Sequence, residues 1–181
     1  MLKAPPGQAT RPTGARVKEA LFSILGDMTG LRVLDLYAGS GALGIEALSR
    51  GAAFVAFVES SRAALACLRD NLSTLGAGAE TQVLAVRAEI AAPKLTPLGP
   101  FQLVLCDPPW RNAAQALTVL EGLAAAGLVG PGGRIVLEHS ARTPLKPGGG
   151  LALGPGGLLV VEGDRRWGDT SVTLLGFRSD S

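Results

Sequence analysis

The chain has 181 residues, a formal net charge of +2, one histidine and two cysteines. This length suits one domain and leaves little room for a second, and the charge excludes a protein that binds nucleic acid through net charge alone. Because Cys67 and Cys106 lack CxxC spacing, neither a disulfide framework nor a metal site is expected. No apolar run reaches the roughly 18 residues of a membrane span, and no signal peptide is recognisable, so we expect a cytoplasmic protein without a membrane partner.

The first predicted element is an amphipathic helix in TGARVKEALFSIL, residues 13–25. Its apolar residues recur at helical spacing: Val17, Ala20, Leu21, Ile24 and Leu25. Thr13 is the predicted N-cap, and Arg16 and Lys18 are expected to point outward. Basic residues without acidic neighbours mark residues 1–18, and Arg165 and Arg166 stand beside Trp167. Such patches can contact phosphates, and solvated surface charge is the alternative for each of them.

After this helix, apolar runs alternate with helical patterns. Strands are predicted at LRVLDLY, AFVAFVE, TQVLAV, FQLVLCD and GRIVLEH, and helices at ALGIEALSR, SRAALACLRDNLSTL and NAAQALTVLEGLAAAG. A surface loop around a short element is expected over 143–157, and LLVVEG and TSVTLLGF, linked by DRRWGD, are predicted to form a closing antiparallel pair. The predicted fold is a single α/β, Rossmann-like, doubly wound, mostly parallel sheet with helices on both faces and an antiparallel pair at its C-terminal end. Such a sheet binds ligands beyond the carboxyl ends of its strands.

Acidic residues fall at or near four of these strand ends: Asp35, Glu59, Asp107 and Glu138. Gly39, Gly41 and Gly44 form a G-x-G-x-x-G turn between a strand and a helix, which lets the backbone approach a ligand. Glu59, 20 residues after Gly39, stands where an acid accepts hydrogen bonds from ribose hydroxyls. The turn fits either NAD or S-adenosylmethionine. Asp35 favours S-adenosylmethionine, since a carboxylate attracts its sulfonium and ammonium and repels a pyrophosphate.

The segment DPPW ends a strand with a carboxylate that points to chemistry on a nucleobase. Asp107 and the carbonyl of Pro108 are predicted to accept hydrogen bonds from an exocyclic amino group, which directs the nitrogen lone pair at a methyl donor. Pro109 fixes the backbone, and Trp110 offers a flat face for stacking. This logic serves any exocyclic amino group, so the segment alone does not separate guanine from adenine or RNA from DNA.

The chain resembles the RsmD family of bacterial 16S ribosomal RNA guanine-N2 methyltransferases over nearly its whole length. The resemblance lies in five segments that follow the family order: TRPTGARVKEALFSIL, VLDLYAGSGALGIEALSRGA, FVE, CDPPW and RWGDTSVTLL. The resemblance implies transfer of a methyl group from S-adenosylmethionine to the N2 amino group of a guanine. The implied partner is 16S ribosomal RNA within the small ribosomal subunit. We predict that residues 1–30 form a basic segment and helix packed on a methyltransferase domain, residues 31–181.

The resemblance also assigns three groups of site residues. Those of the cofactor site are Asp35, Ala38, Gly39, Ser40, Gly41, Glu59 and Glu89. Those of the catalytic target-base site are Asp107, Pro108, Pro109 and Trp110. Those that position the base or the RNA are Arg11, Thr13, Arg16 and Lys18.

Two features depart from the family pattern. Members usually carry a basic, glycine-containing β-hairpin before LKAPPG, whereas Met1 stands almost directly before it, so we expect either a truncated start or a smaller RNA-binding surface. Members usually have Tyr or Phe at the position of Trp110, a change that keeps stacking but alters the width of the pocket.

Three alternatives stay open at this point. An N6-adenine DNA methyltransferase would use the same DPPW logic, although such enzymes commonly need more recognition surface. A ribosome-assembly factor could bind RNA without catalysis, but DPPW is intact. An NAD-dependent oxidoreductase is disfavoured by Asp35 and by the lack of room for a substrate domain.

Overall fold

A computed structural model describes residues 2–3, 12–142, 151–153 and 157–178, and within them the chain forms a single eight-stranded sheet. The strands are β1 Arg32–Leu36, β2 Phe54–Glu59, β3 Thr81–Ala85, β4 Phe101–Cys106, β5 Val129–Ser140, β6 Leu151–Leu153, β7 Gly157–Trp167 and β8 Thr170–Arg178. The α-helices are α1 Pro12–Leu25, α2 Ala42–Ser49, α3 Arg62–Leu75, α4 Ala92–Leu95 and α5 Ala113–Ala125.

The strand order is β3-β2-β1-β4-β5-β8-β7-β6. Strands β1 to β5 are parallel, whereas β8 runs antiparallel to both β5 and β7, and β6 runs antiparallel to β7. The predicted α/β fold is therefore confirmed, with the closing strand pair extended by β6. Because the chain winds outward from β1 to β3 and then returns to the other side of β1, the order reverses between β1 and β4, where such sheets bind ligands.

Side chains on alternate sides of the central strands form two apolar layers, one on each face of the sheet. Leu34, Val104 and Leu137 are buried on the face that α4 and α5 cover. Val33 and Val136 are buried on the opposite face, against α1, α2 and α3. Parallel strands covered on both faces have this continuous apolar character, so the alternation of strands and helices in the sequence sufficed to predict the layers.

The C-terminal hairpin departs from its prediction. The residues DRRW were expected in a loop, but β7 continues through Trp167, which pairs with Thr170 of β8. The connection is therefore only Gly168 and Asp169, and Gly168 has a φ of 61°, a left-handed conformation that suits a tight turn. An antiparallel hairpin tolerates charged residues because one of its faces meets water. Strand β5 also begins four residues earlier than predicted, at Val129.

Helix α1 differs from the prediction at both ends. It begins at Pro12, whose fixed φ and missing N–H suit a first helical position, so the prediction of Thr13 as N-cap was wrong. Near the other end Ile24 is 40% exposed, while Phe22 is fully buried. Arg11, predicted to position RNA, lies outside the described residues.

Candidate active site

Strand register brings the carboxylates to one edge of the sheet. Four residues share one row across β2, β1, β4 and β5: Val58, Leu36, Cys106 and Leu137. The next residues after this row are Glu59 on β2, Asp107 directly after β4 and Glu138 on β5, and Asp35 lies one step before the row on β1. The acidic strand ends predicted from the sequence therefore meet at the edge where the strand order reverses.

These strand ends line a cavity of about 1240 Å³. Val17 of α1 and the turn from Trp167 to Thr170 complete its wall. Ligand sites typically hold about 300–1,000 Å³, so this cavity has room for two ligands side by side. Its acidic lining residues are Asp35, Glu59, Glu89, Asp107, Glu138 and Asp169. Among the lining residues that the structure describes, Arg87 is the only basic one. Coulomb attraction therefore favours a positively charged ligand over a pyrophosphate.

The first and last glycines of the turn, Gly39 and Gly44, have different roles. Gly39 has a φ of 56° and lines the cavity, and a Cβ placed on it would meet no heavy atom within 4 Å. A side chain there would instead extend toward the space that a ligand needs. A Cβ on Gly44 would collide with the ring of Phe57, so this glycine lets α2 pack closely on β2. The turn thus combines an open cradle with tight packing beneath it.

Two carboxylates hold this turn in place. Glu59 Oε2 accepts a hydrogen bond from the N–H of Gly39 at 2.8 Å, and Glu59 Oε1 accepts from the N–H groups of Ser60 and Ser61, both at 2.7 Å. Asp35 Oδ2 accepts from the N–H of Gly44 at 2.8 Å. Burial raises the pKa of Asp35 to about 7, although the bond from Gly44 works against this shift.

Lys3, near the amino terminus, is connected to the same turn through a buried asparagine. The N–H of Lys3 donates to Asn71 Oδ1 at 2.8 Å, and Asn71 Nδ2 donates to the carbonyls of Lys3 and Ser40, both at 3.0 Å. Since Asn71 is buried on α3, it links three segments that are distant in sequence. Ser40, predicted at the cofactor site, also lines the cavity, as Ala38 does.

On the β4 and β5 side of the cavity, the carboxyl groups accept no such bonds from the described residues. Asp107 is open to the cavity but crowded on its other sides, and this loss of solvent raises its pKa to about 6. Burial, together with the negative charge of Asp107, raises the pKa of Glu138 to about 8. Pro108 is buried, whereas Trp110 is 40% exposed and lines the cavity, so its ring can receive a ligand.

The described residues among those predicted to position RNA lie in different surroundings. Lys18 Nζ is 3.0 Å from Glu46 Oε2, and Glu46 also pairs with Arg50 at 2.8 Å. Lys18 is half-buried in this cluster and ties α1 to α2. Arg16 is exposed beside Val17 of the cavity wall, while Thr13 lies in the first turn of α1.

Sequence reasoning named Glu138 at a strand end without giving it a role, and it did not place the lining residues Arg87 and Trp167 in the site. The rule that all parallel strands end at one edge identifies Glu138, which directly follows the row of paired residues on β5, and Arg87, two residues after β3. For Trp167 no local signal existed, because the long hairpin carries it back to the cavity.

Tyr37 carries two further unusual features. It has a φ of 67°, which is strained for a residue with a side chain. Its buried hydroxyl has no hydrogen-bond partner within the described residues. Tyr37 lines the cavity and also packs against the apolar cluster beneath it, so it lies at the boundary between the site and the core.

The described residues contain no group of three or more His, Cys, Asp or Glu side chains placed to hold a metal ion. In the same part of the chain, no helix combines the length and apolar character needed to cross a membrane.

Comparison with known proteins identifies the family. Residues 1–167 match the family described as "Conserved hypothetical protein 95". The chain belongs to this family. It is 40% identical over 149 residues to the candidate rRNA methyltransferase YlbH of Bacillus subtilis, a match that covers 80% of this chain and 79% of YlbH. The resemblance to the RsmD methyltransferases is thereby confirmed.

Two other relatives agree with this family. "Ribosomal RNA small subunit methyltransferase D" of Escherichia coli is 40% identical over 119 residues, which cover 65% of this chain and 59% of that protein. A solved structure of a conserved hypothetical protein from Streptococcus pyogenes has a TM-score of 0.76 at 34% identity, covering 88% of this chain and 94% of the other. Sequence and fold therefore point to the same family.

Proposed function

We propose that this protein transfers a methyl group from S-adenosylmethionine to the exocyclic N2 amino group of a guanine in 16S ribosomal RNA. The observation that carries the proposal is that Asp107, Pro108 and the exposed Trp110 line the same cavity as the carboxylate-held glycine turn. The family relatives named as ribosomal RNA methyltransferases support the same substrate class. A ribosomal substrate implies a cytoplasmic enzyme, as the sequence led us to expect.

The residues of the β1 and β2 side suit the proposed cofactor. Gly39 leaves open space at the cavity, and Asp35 supplies an acidic group for a cationic ligand. Glu59 Oε2, which accepts only the bond from Gly39 among the described residues, can accept a further hydrogen bond, such as one from a ribose hydroxyl. Glu89 lines the cavity near the end of β3, on the side where the adenine would extend. When bound, S-adenosylmethionine supplies an electrophilic methyl group on a positively charged sulfur.

The residues of the β4 side then orient the nucleophile. The carboxylate of Asp107 and the carbonyl of Pro108 accept the two N–H bonds of the amino group, which leaves the nitrogen lone pair aimed along the cavity. The negative charge of Asp107 stabilises positive charge that develops on nitrogen, and its carboxylate can take the proton that the nitrogen loses. Trp110 stacks on the base, a contact worth about 1–3 kcal/mol.

A base reaches this cavity only after it leaves its stack, which single-stranded or looped RNA permits at low cost. Exposed basic residues near the cavity, Arg16, Arg87 and Arg111, are placed to contact the phosphates that flank it. We propose that the basic segment and helix of residues 1–30 act together with these arginines to hold RNA against the methyltransferase domain, residues 31–181.

The first test is transfer of labelled methyl groups from S-adenosylmethionine to unmodified small ribosomal subunits, naked 16S ribosomal RNA and duplex DNA. Nuclease digestion and mass analysis identify the product nucleoside. N2-methylguanosine from either ribosomal acceptor supports the proposal, and the better acceptor shows whether a folded particle is required. N6-methyladenine in DNA would replace it with the alternative enzyme, and cofactor binding without transfer to any acceptor would point to a binding role.

A further inference from the structure

Glu138 lies between the predicted amino-group acceptors and the C-terminal hairpin. It follows the row in which Cys106 of β4 pairs with Leu137 of β5, so it is the neighbour of Asp107 across the two strands. On its other side Glu138 pairs with Val172 of β8, whose hairpin turn forms the adjoining cavity wall. The side chain is thus set in the substrate half of the cavity, on the far side of Asp107 from the glycine turn.

The carboxyl group of Glu138 is half-buried and lines the cavity. No hydrogen bond from the described residues lowers its pKa, and Asp107 is the charged group that acts on it most directly. Polar groups enclosed by protein normally have hydrogen-bond partners, and a group that lacks one in the free protein can form a hydrogen bond with a ligand. We therefore expect a base bound in this half of the cavity to present a hydrogen-bond donor to Glu138.

We propose that Glu138 reads the N1–H group of the target guanine while Asp107 holds the neighbouring N2 amino group. The proposal rests on the proposed function, because it names the base that the same site accepts. Adjacent strands lie about 4.8 Å apart, so the two side chains can converge on neighbouring atoms of one base edge. In guanine these atoms, N1–H and N2–H, are both donors, which matches two carboxyl groups side by side.

Adenine presents a different edge to the same pair. Beside its amino group stands N1, which is an acceptor with a lone pair, so an ionised Glu138 would face it without a hydrogen bond. When Glu138 is protonated, its carbonyl oxygen still accepts from N1–H of guanine, and its hydroxyl can donate to O6. The hydroxyl of protonated Glu138 can donate to N1 of adenine, but adenine has C2–H where guanine has O6, so guanine keeps one more hydrogen bond. Glu138 therefore adds the discrimination between guanine and adenine that DPPW lacks.

The test uses 2-aminopurine, which keeps the 2-amino group but lacks both N1–H and O6. Once the acceptor experiment has mapped the methylated guanine, small subunits are reconstituted with RNA that carries either base there. For the wild-type protein we expect kcat/KM to favour guanine by at least about tenfold. Glu138→Leu should reduce this preference to about twofold or less, whereas Glu138→Gln, which keeps an acceptor and a donor, should retain it.

Glu162→Leu is the matched control, because Glu162 is exposed on β7 and does not line the cavity. Its preference for guanine should equal that of the wild type. Binding of S-adenosylhomocysteine with wild-type affinity shows that Glu138→Leu is folded, and Glu138→Ala replaces it if it is not.

Two results would overturn the inference while leaving the proposed function intact. One is wild-type protein that methylates 2-aminopurine as well as guanine. The other is a folded Glu138→Leu protein with the preference of the wild type. By contrast, a wild-type protein that forms no N2-methylguanosine in any ribosomal acceptor would remove the proposed function itself, and the inference with it.

Discussion

On the β1 and β2 side of the cavity, Asp35 and Glu59 accept four hydrogen bonds from backbone N–H groups. On the β4 and β5 side, no hydrogen bond from the described residues lowers the pKa of Asp107 or of Glu138. The first pair is therefore fixed by the fold before any ligand arrives, while the second pair keeps its acceptors free. The difference indicates a preformed cradle for one ligand and a set of acceptors completed by another.

The Asp107→Ala variant tests most directly whether the two sides of the cavity have separate roles. We expect kcat to fall about 100- to 1000-fold, because the variant loses the acceptor that orients the amino group and stabilises its charge. The dissociation constant of S-adenosylhomocysteine, measured by calorimetry, should change by less than about threefold. Methyl transfer at the wild-type rate would show that Asp107 has no such role, and a large loss of cofactor affinity would show that the two sides are not separate.

Glu59→Ala tests the other side. Loss of this carboxylate removes a charged acceptor for both the turn and the ribose, so we expect S-adenosylhomocysteine to bind about 10- to 100-fold more weakly. Glu59→Gln keeps one acceptor oxygen and should lose less affinity. Equal affinities for wild type and Glu59→Ala in calorimetry would contradict the preformed cradle.

Trp110→Ala should lower kcat/KM for the ribosomal acceptor about 5- to 100-fold, because stacking of the base is worth about 1–3 kcal/mol. Trp110→Phe, which keeps an aromatic face, should stay within about threefold of the wild type. Steady-state kinetics with varied acceptor concentration measures both. If the two variants lose activity equally, the indole contributes shape or packing instead of stacking.

The smallest expected effect is the pH dependence of stability, to which carboxyl groups on both sides of the cavity contribute. Raised pKa values of about 7, 6 and 8 for Asp35, Asp107 and Glu138 mean that the folded state retains protons that the unfolded chain loses. The free energy of unfolding should therefore fall as pH rises from about 4 to 8. The lowered pKa values of Asp27 and Glu46 act only below pH about 4.5.

Thermal denaturation between pH 5 and 8 measures this slope. Glu138→Gln should make it shallower, whereas Glu162→Gln should not. Saturating S-adenosylmethionine should raise Tm more at pH 8 than at pH 5, since ionised carboxylates attract its positive charges. A melting temperature that is constant over this range would contradict the burial of charge in the site.

Much of the molecule follows from local sequence. The alternation of apolar runs with helical patterns predicted the five parallel strands in order, because each element buries a face that its own periodicity defines. The G-x-G-x-x-G turn could be placed for the same reason, since a strand before it and a helix after it are visible in the sequence. Asp107 and Trp110 were identified because prolines mark the end of β4.

What the local sequence left undetermined depends on contacts between distant residues. Lys18 was predicted to face outward, and only the packing of α1 against α2 brings it to Glu46. Helical periodicity placed Ile24 in the apolar stripe, but the sheet covers a neighbouring face of α1 and leaves Ile24 exposed. Trp167 was expected in a loop, yet pairing with β8 extends the strand through it.

The amino-acid sequence by itself determined which residues end strands, which turn can cradle a ligand and which segment can hold an amino group, since each depends on neighbours in the chain. Only the tertiary structure decided that Glu138 stands beside Asp107, because β4 and β5 are separated by α5 and meet through long-range pairing. The pair that we propose to recognise the base therefore exists only once the sheet has formed.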